Sequence, residues 1–288
     1  MGNAARVDRR RPSFSASLAL HLKITSWNIN SVRLRLDQVG RAIDEIGPDV
    51  LCLQETKCPD PSFPLEALQA FGLRHVVQVG QKGYNGVAIL SRFPFASVDP
   101  QDWCERHDAR HLAVTLGPEA GQAAGLVVHN FYVPAGGDLP DPELNPKFAH
   151  KLQFLDEMRR WGRTRDRRPA VLVGDLNVAP LEHDVWSHKQ LLNVVSHTPV
   201  ETKALTAVCE EGGWVDSARR LVPEPTKIYT WWSYRSPDWA AANKGRRLDH
   251  TWVSQDLAGT LRAVDVHGTA RGWTRPSDHV PVTVRLEL

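Results

Sequence analysis

Apolar runs along this chain end in, or start from, short polar islands. The runs at residues 24–27, 50–53 and 171–173 lead into Trp27-Asn28-Ile29-Asn30, Gln54-Glu55-Thr56-Lys57 and Gly174-Asp175-Leu176-Asn177. Leu248-Asp249-His250 and Ser277-Asp278-His279 instead precede the runs at Trp252-Val253 and 280–286. If all the islands lie on one edge of a sheet, some strands approach that edge and others leave it. That arrangement requires a mixed sheet with its polar ends gathered in one cleft, where ligand sites commonly lie.

Between the islands the period changes. Val32, Leu36, Val39, Ile43 and Ile46 recur at helical spacing before Gly47-Pro48, and a short helix is expected over 65–71. Strand-like runs follow at 75–79, 87–90, 112–116 and 126–131, divided by turns rich in Gly, Pro and Asp. Phe148, Leu152, Leu155 and Met158 make an apolar helical face after Pro146, and a further helix around 201–210 closes at Gly212-Gly213. Several consecutive strands separate the helices. The pattern predicts two packed mixed β-sheets flanked by helices, an α/β sandwich, rather than a parallel Rossmann sheet.

Composition bounds this picture without changing it. The 288 residues suit a single large domain, read here as residues 22–288, with residues 1–21 as a disordered N-terminal tail rich in arginine. Lys+Arg 35 against Asp+Glu 33 leaves a net charge of only +2, which neither requires nor excludes a nucleic-acid partner. The four cysteines form no C-x-x-C pair, so a reducing, cytoplasmic setting is expected, with Cys52 a small buried hydrophobe. The apolar stretch near the N-terminus is too short to span a membrane.

The chemistry is concentrated in the islands. Asp175 and Asn177 are two residues apart, so an extended backbone turns both to the same face, and Asn28 and Asn30 share that relation. Any one of these Asx residues alone would read as a cap or turn; the repeated placement at strand tips argues for a site. Glu55, Asp278 and Asn28 are hard oxygen donors that suit Mg²⁺ or Mn²⁺ better than zinc. A hard cation together with a carboxylate or imidazole is the equipment of phosphodiester hydrolysis. Asp249 either holds the His279 imidazole or bonds backbone amides beside its strand, and spacing leaves both readings open.

The ordered set SWNINSVR, LCLQETK, GYNGVAILSR, NFYVPAGG, VGDLNVAP, YTWWSYRS, RRLDHTWVS and SDHVPV resembles the exonuclease III family of apurinic/apyrimidinic (AP) endonucleases, in the endonuclease/exonuclease/phosphatase superfamily. The resemblance covers almost all of the chain after residue 22. It implies a four-layer α/β sandwich and a monomeric nuclease acting on double-stranded DNA with abasic sites or blocked 3′ ends, with 3′-to-5′ exonuclease and 3′-end-cleaning activities. Carried over residue by residue, it implies that Asn28 and Glu55 hold the metal with help from Asp278, and that Asp175, Asn177 and His279 are further candidate ligands. Tyr132 then contacts the scissile phosphate, Asp175 and His279 compete as general base, Asn177 orients the nucleophile, and Asp249 supports His279. Tyr84, Asn85, Trp231 and Leu248 are implied DNA contacts, Trp231 and Leu248 as walls of a pocket for an extruded abasic sugar; by position, Lys57, directly beyond Glu55, and Arg247, just before Asp249, are further candidates. The chain departs from the pattern at Ala135, where many members carry Asn or Gln, and at Arg246, where some carry Trp.

Of the basic clusters, Lys244, Arg246 and Arg247 adjoin Asp249 and are the better candidates for the DNA backbone. The arginines between 159 and 168 precede the run whose far end carries Asp175, and should face away from the cleft. Two rivals remain: a phospholipid or inositol-phosphate hydrolase on the same core, and a catalytically silent DNA-binding module.

Overall fold

A computed structural model describes residues 19–236 and 238–288; the expected tail, at 1–21, lies almost wholly outside them. In chain order the strands are β1 His21–Asn28, β2 Val50–Gln54, β3 His75–Val79, β4 Val87–Ser91, β5 Phe95–Asp99, β6 His111–Leu116, β7 Val127–Tyr132, β8 Ala170–Asp175, β9 Trp214–Asp216, β10 Asp249–Ser254, β11 Leu261–Val266 and β12 Val282–Glu287. They form two six-stranded sheets, ordered β11-β12-β1-β2-β4-β3 and β5-β6-β7-β8-β10-β9. Each sheet has one parallel pair at its centre, β1 with β2 and β7 with β8, among antiparallel neighbours. Both sheets are therefore mixed.

Alternation along the strands builds the layers. Ile24, Val50, Cys52, Val87 and Ile89 of the first sheet meet Val114, Val128, Val171, Val173 and Val253 of the second in a central apolar layer. The opposite face of the first sheet, with Trp27, Leu51, Leu53 and Leu90, is covered by α1 (Leu36–Ile46) and α2 (Leu65–Ala70) through Val39, Ile43 and Leu68. The outer face of the second, with Phe131, Leu172 and Trp252, takes Phe154, Leu155 and Met158 of α3 (Pro146–Thr164) and, past a short α4 (His188–Leu191), Leu205 and Val208 of α5 (Pro199–Glu211). The result is the expected four-layer sandwich.

The helix ends follow from local chemistry. Gly47 takes φ 63° at the end of α1 and its N–H closes on Ile43 O, a conformation glycine adopts at little cost. Asn145 caps α3 ahead of Pro146, and Thr198 with Glu201 forms a capping box on α5.

The islands do reach one edge, but of the sandwich rather than of one sheet. Those of β1, β2 and β12 belong to the first sheet, and those of β8 and β10 to the second. A buried polar link ties the two sheets just behind that edge. Gln54 Nε2 donates to Asn130 Oδ1 (2.7 Å), and Asn130 Nδ2 donates across to Leu53 O and Ala88 O. Buried amides paired in this way fix the mutual position of the layers, although Gln54 Oε1 is left without a partner.

Candidate active site at the sandwich edge

The tip of each strand leaves extended geometry abruptly. Asn30, Ser31, Glu55, Lys57, Asn85 and Asn177 all have positive φ without being glycine. Such conformations each cost on the order of 1–3 kcal/mol and persist where surrounding structure holds them. Gly174, before Asp175, lies so close to β7 that a Cβ would fall 1.9 Å from Phe131 O. Only glycine fits there, so β8 can pair closely with β7 up to Asp175, opposite Tyr132.

Asp175 is the hub. Its Oδ2 accepts from Asn28 Nδ2 (2.9 Å) and Asn177 Nδ2 (3.1 Å), and its Oδ1 accepts from the Asn177 amide (3.0 Å). His279 Nε2 stands 3.6 Å from the same Oδ2, while Nδ1 is 2.8 Å from Asp249 Oδ2. Of the two arrangements left open for Asp249, the carboxylate here contacts the His279 imidazole. Its other partner is the Thr230 hydroxyl, which donates at 2.6 Å and accepts from the Leu248 and Asp249 amides. Across the cleft, Asn28 Nδ2 and the Tyr132 hydroxyl both donate to Glu55 Oε1 at 2.9 Å. Asp278 accepts from Asn30 Nδ2 (3.0 Å) and Trp231 Nε1 (2.9 Å).

Charge follows from these contacts. Burial pushes the Asp175 carboxyl above its ordinary value, with Asp249 and Glu55 adding to the rise against the pull of His279. Burial disfavours the charged imidazole of His279, yet the carboxylates of Asp249 and Asp175 outweigh it and hold the ring protonated beyond its usual range. Burial, then Glu55 and Asp175, keep the Tyr132 phenol well above its usual range, so it stays a hydrogen-bond donor. Burial opposes the charge on Glu55, but Lys57, Asn28 and His279 keep the carboxyl low.

The donors fit a divalent cation. Asp175, Asp249 and His279 each bring one ligand atom within 4.8 Å of the others. His279, with Asp249 on one ring nitrogen and Asp175 facing the other, also has the geometry of a carboxylate–imidazole array. The oxygens around Glu55 fit more directly, because they already gather about a cation: Lys57 Nζ lies 2.7 Å from Glu55 Oε2 and 2.6 Å from Asn30 Oδ1.

The remaining expected contacts divide. Trp231 and Leu248 line a cavity of about 790 Å³ that opens beside His279, Asn177 and Glu55. Tyr84 is 69% exposed, while the Asn85 side-chain amide is committed to Asp108 O (2.9 Å). Arg247 departs from expectation. It is 1% exposed and turned inward, gripping Asp184 with Nε and Nη2 (2.7 and 2.8 Å) and Asp216 with Nη1 (2.8 Å). A guanidinium so placed offers nothing to a phosphate; closeness in sequence to Asp249 misled because it does not reveal Asp184 and Asp216, which claim the side chain from distant parts of the chain. The arginines before β8 stand at its start, away from Asp175, and are engaged with acids or backbone: Arg159 with Asp156, Arg163 with Glu211, Arg167 with Gly212 O.

Sequence reasoning passed over Thr230, Arg110 and the pair Lys151–Glu201. Arg110 lies over the Tyr132 ring, 4.8 Å from its centroid. Lys151 and Glu201 are wholly buried and ion-paired, and Lys151 Nζ also donates to Asn177 O at 2.7 Å. A lysine inside the apolar face of α3 was the available signal.

Residues 25–279 match the Endonuclease/Exonuclease/phosphatase family. Exodeoxyribonuclease III of Haemophilus influenzae is 32% identical over 91% of this chain and 98% of its own. Among solved structures, the 3′ phosphatase NExo from Neisseria, bound to a product DNA hairpin, superposes with a TM-score of 0.83 at 34% identity, over 93% of this chain and 100% of its own. An AP endonuclease from Archaeoglobus fulgidus does so with a TM-score of 0.84 at 32% identity, over the same shares.

Proposed function

Because this chain belongs to the endonuclease/exonuclease/phosphatase family, and within it to the exonuclease III-like hydrolases, we propose that it is a Mg²⁺-dependent DNA-repair phosphodiesterase. Its substrates are duplexes with abasic sites, cut on the 5′ side, and 3′ ends that need trimming or cleaning. The observation that carries the reading is the buried Asp249–His279–Asp175 array facing Glu55, Asn28 and Tyr132 across one cleft.

Glu55, helped by Asp278, would hold the Mg²⁺, with Mn²⁺ a plausible substitute; Asn28 would join them only through its Oδ1, which accepts from the Asn30 amide while its Nδ2 faces Glu55 and Asp175. When bound, it supplies charge stabilisation to the phosphorane-like transition state. The chain's own groups divide the rest. A histidine that keeps both ring protons cannot act as base; its Nε2–H is a donor for a phosphate oxygen, held in orientation by Asp249 and Thr230. The phenol of Tyr132 is a second such donor. Asp175, whose basicity burial has raised, is the group suited to take a proton from water. The Nδ2 of Asn177, held between Val133 O (2.9 Å) and Asp175, keeps the Asp175 carboxylate in place. Lys57, paired with Glu55, and the exposed Tyr84 would meet the DNA backbone. Among the described residues no helix is long and apolar enough to cross a membrane, and the cleft is walled by Trp231 and Leu248 rather than by a lipid-binding hairpin.

The test is a nicking assay on an abasic duplex, an undamaged duplex, a 3′-phosphorylated duplex and a phospholipid, each with Mg²⁺ and with chelator. Metal-dependent cleavage confined to the damaged DNAs is expected; hydrolysis of the lipid instead, or of nothing, would remove the reading. Glu55→Gln should keep the fold, since it is isosteric and Tyr132 and Asn28 can still donate to its oxygen. It should weaken Mg²⁺ binding and lower turnover by at least about tenfold. Normal Mg²⁺ titration by a folded variant would show that the cation is held elsewhere.

A further inference from the structure

The cavity beside the reaction centre has two chemically different ends. At one end the acids are engaged: Glu55 by Lys57, Asn28 and Tyr132, and Asp278 by Asn30 and Trp231. At the other, Trp186, Val194, Val195, Trp231 and Leu248 form an apolar wall, and into it projects the guanidinium of Arg246. Arg246 is fixed on one side only. Its Nη1 donates to Val195 O (3.0 Å) and Ser196 Oγ (2.7 Å), and the group lies 5.2 Å from the Trp231 ring centroid. Its Nε is enclosed and has no hydrogen-bond partner.

The support beneath it is built. Ser196 is buried at φ 87°, and its amide is held by both oxygens of Glu201 (2.9 and 3.0 Å). Glu201 in turn pairs with Lys151, which reaches Asn177 O. An ordinary surface arginine is free to swing; this one is wired to the catalytic loop. Beside it, Lys244 places its ammonium 4.7 Å from the Trp186 ring centroid. A half-buried cation with an enclosed, unpartnered N–H is costly unless something negative meets it. Among the described residues that line the cavity, the acid not engaged in this way is Asp138, which is exposed, where solvent screens it.

We propose that this end of the cavity is a subsite for a negative charge carried by the group on the far side of the scissile phosphate, with Arg246 as principal donor and Lys244 as second. The inference rests on the nuclease reading, in which the cavity receives the residue esterified to that phosphate. The charge has two chemical sources. One is the next backbone phosphate beyond an internal abasic residue; the other is the carboxylate of an oxidised sugar fragment left on a 3′ end. A guanidinium suits both, since it presents paired donors to phosphate or carboxylate.

Charged and neutral twins of each substrate separate the sources. One pair is a duplex with an internal tetrahydrofuran residue, with either a phosphate or a methylphosphonate immediately 3′ of it. The other is a duplex ending in 3′-phosphoglycolate or in its neutral 3′-phospho-(2-hydroxyethyl) analogue. In the wild-type protein at least one pair should differ by about tenfold in kcat/KM, and that pair names the source. In Arg246→Met the same pair should differ by less than about twofold, and Arg246→Lys should restore part of the difference. If neither pair differs in the wild-type protein, or if the difference survives undiminished in Arg246→Met, the subsite is overturned. Should the wild-type protein cleave none of the four, the nuclease reading fails instead. Binding of the same duplexes in Ca²⁺ then decides the subsite alone: discrimination lost in Arg246→Met supports it, and none in the wild-type protein overturns it.

Discussion

Asp175→Asn should leave a folded protein that binds abasic DNA as well as before, or better, and cleaves it about 10²–10⁴-fold more slowly. The fold should survive because the amide has the shape of the carboxylate, and its oxygen can keep the bonds from Asn28 and Asn177 Nδ2. Its nitrogen then faces the Asn177 amide, a mismatch costing about 1–3 kcal/mol. Proton-accepting capacity is lost entirely, and the predicted rate loss corresponds to about 2.7–5.4 kcal/mol of transition-state stabilisation. Binding should not suffer, since one negative charge is removed from a cleft that receives a phosphate. Single-turnover nicking in Mg²⁺ and a gel-shift titration in Ca²⁺ measure the two separately. Loss of both in a folded variant would make Asp175 chiefly a cation holder, and near-normal cleavage would remove it from the chemistry.

Much of this site was legible because its residues sit at strand tips, where a change from apolar run to polar island is a local signal. Asn28, Glu55, Asp175, Asp249 and His279 were all found in this way, and hydrogen bonds now join them. What stayed hidden depended on contacts between distant parts of the chain. Apolar runs do not say that β1 and β8 belong to different sheets. The strand β5 is largely exposed, β9 spans only three residues, and β11 is partly exposed at a sheet edge, so none shows the alternation that betrays a half-buried strand. Thr230 is an ordinary strand threonine until Asp249 is placed against it. Lys151 finds its counter-charge fifty residues away, at Glu201. Arg246 and Arg247 are adjacent and chemically identical, and only the pairing of the surrounding strands turns one toward the cavity and the other into the core.

That last division has a measurable consequence: Arg247→Met should cost about 3–5 kcal/mol of stability, the usual effect of breaking a buried ion pair from one side. The fork of Arg247 closes on both oxygens of Asp184, and its third nitrogen reaches Asp216, the N-cap of α6 (Ser217–Leu221). Asp184 also takes Arg219 and the Leu181 amide, so the cluster ties the 182–184 turn, β9 and the segment entering β10. With Met in place, Asp216 turns to solvent and Asp184 keeps Arg219 as its counter-charge, with the Leu181 amide. For a domain of this size each kcal/mol shifts Tm by about 2–4 °C, so a drop of at least about 6 °C is expected. The pH dependence gives the sign. Burial opposes the charge on Asp184, but Arg247 and Arg219 outweigh it and lower its pKa to about 2. A depressed carboxylate contributes stability that is present above its unfolded value near pH 4 and lost as pH falls toward about 2. The gap between wild type and variant should therefore be full at pH 7 and close progressively below about pH 4. DNA affinity of the folded variant, and its dependence on salt, should be unchanged. If Arg247→Met instead kept its stability and lowered the salt slope by about 0.9, the loss of one phosphate contact, the guanidinium would face DNA after all.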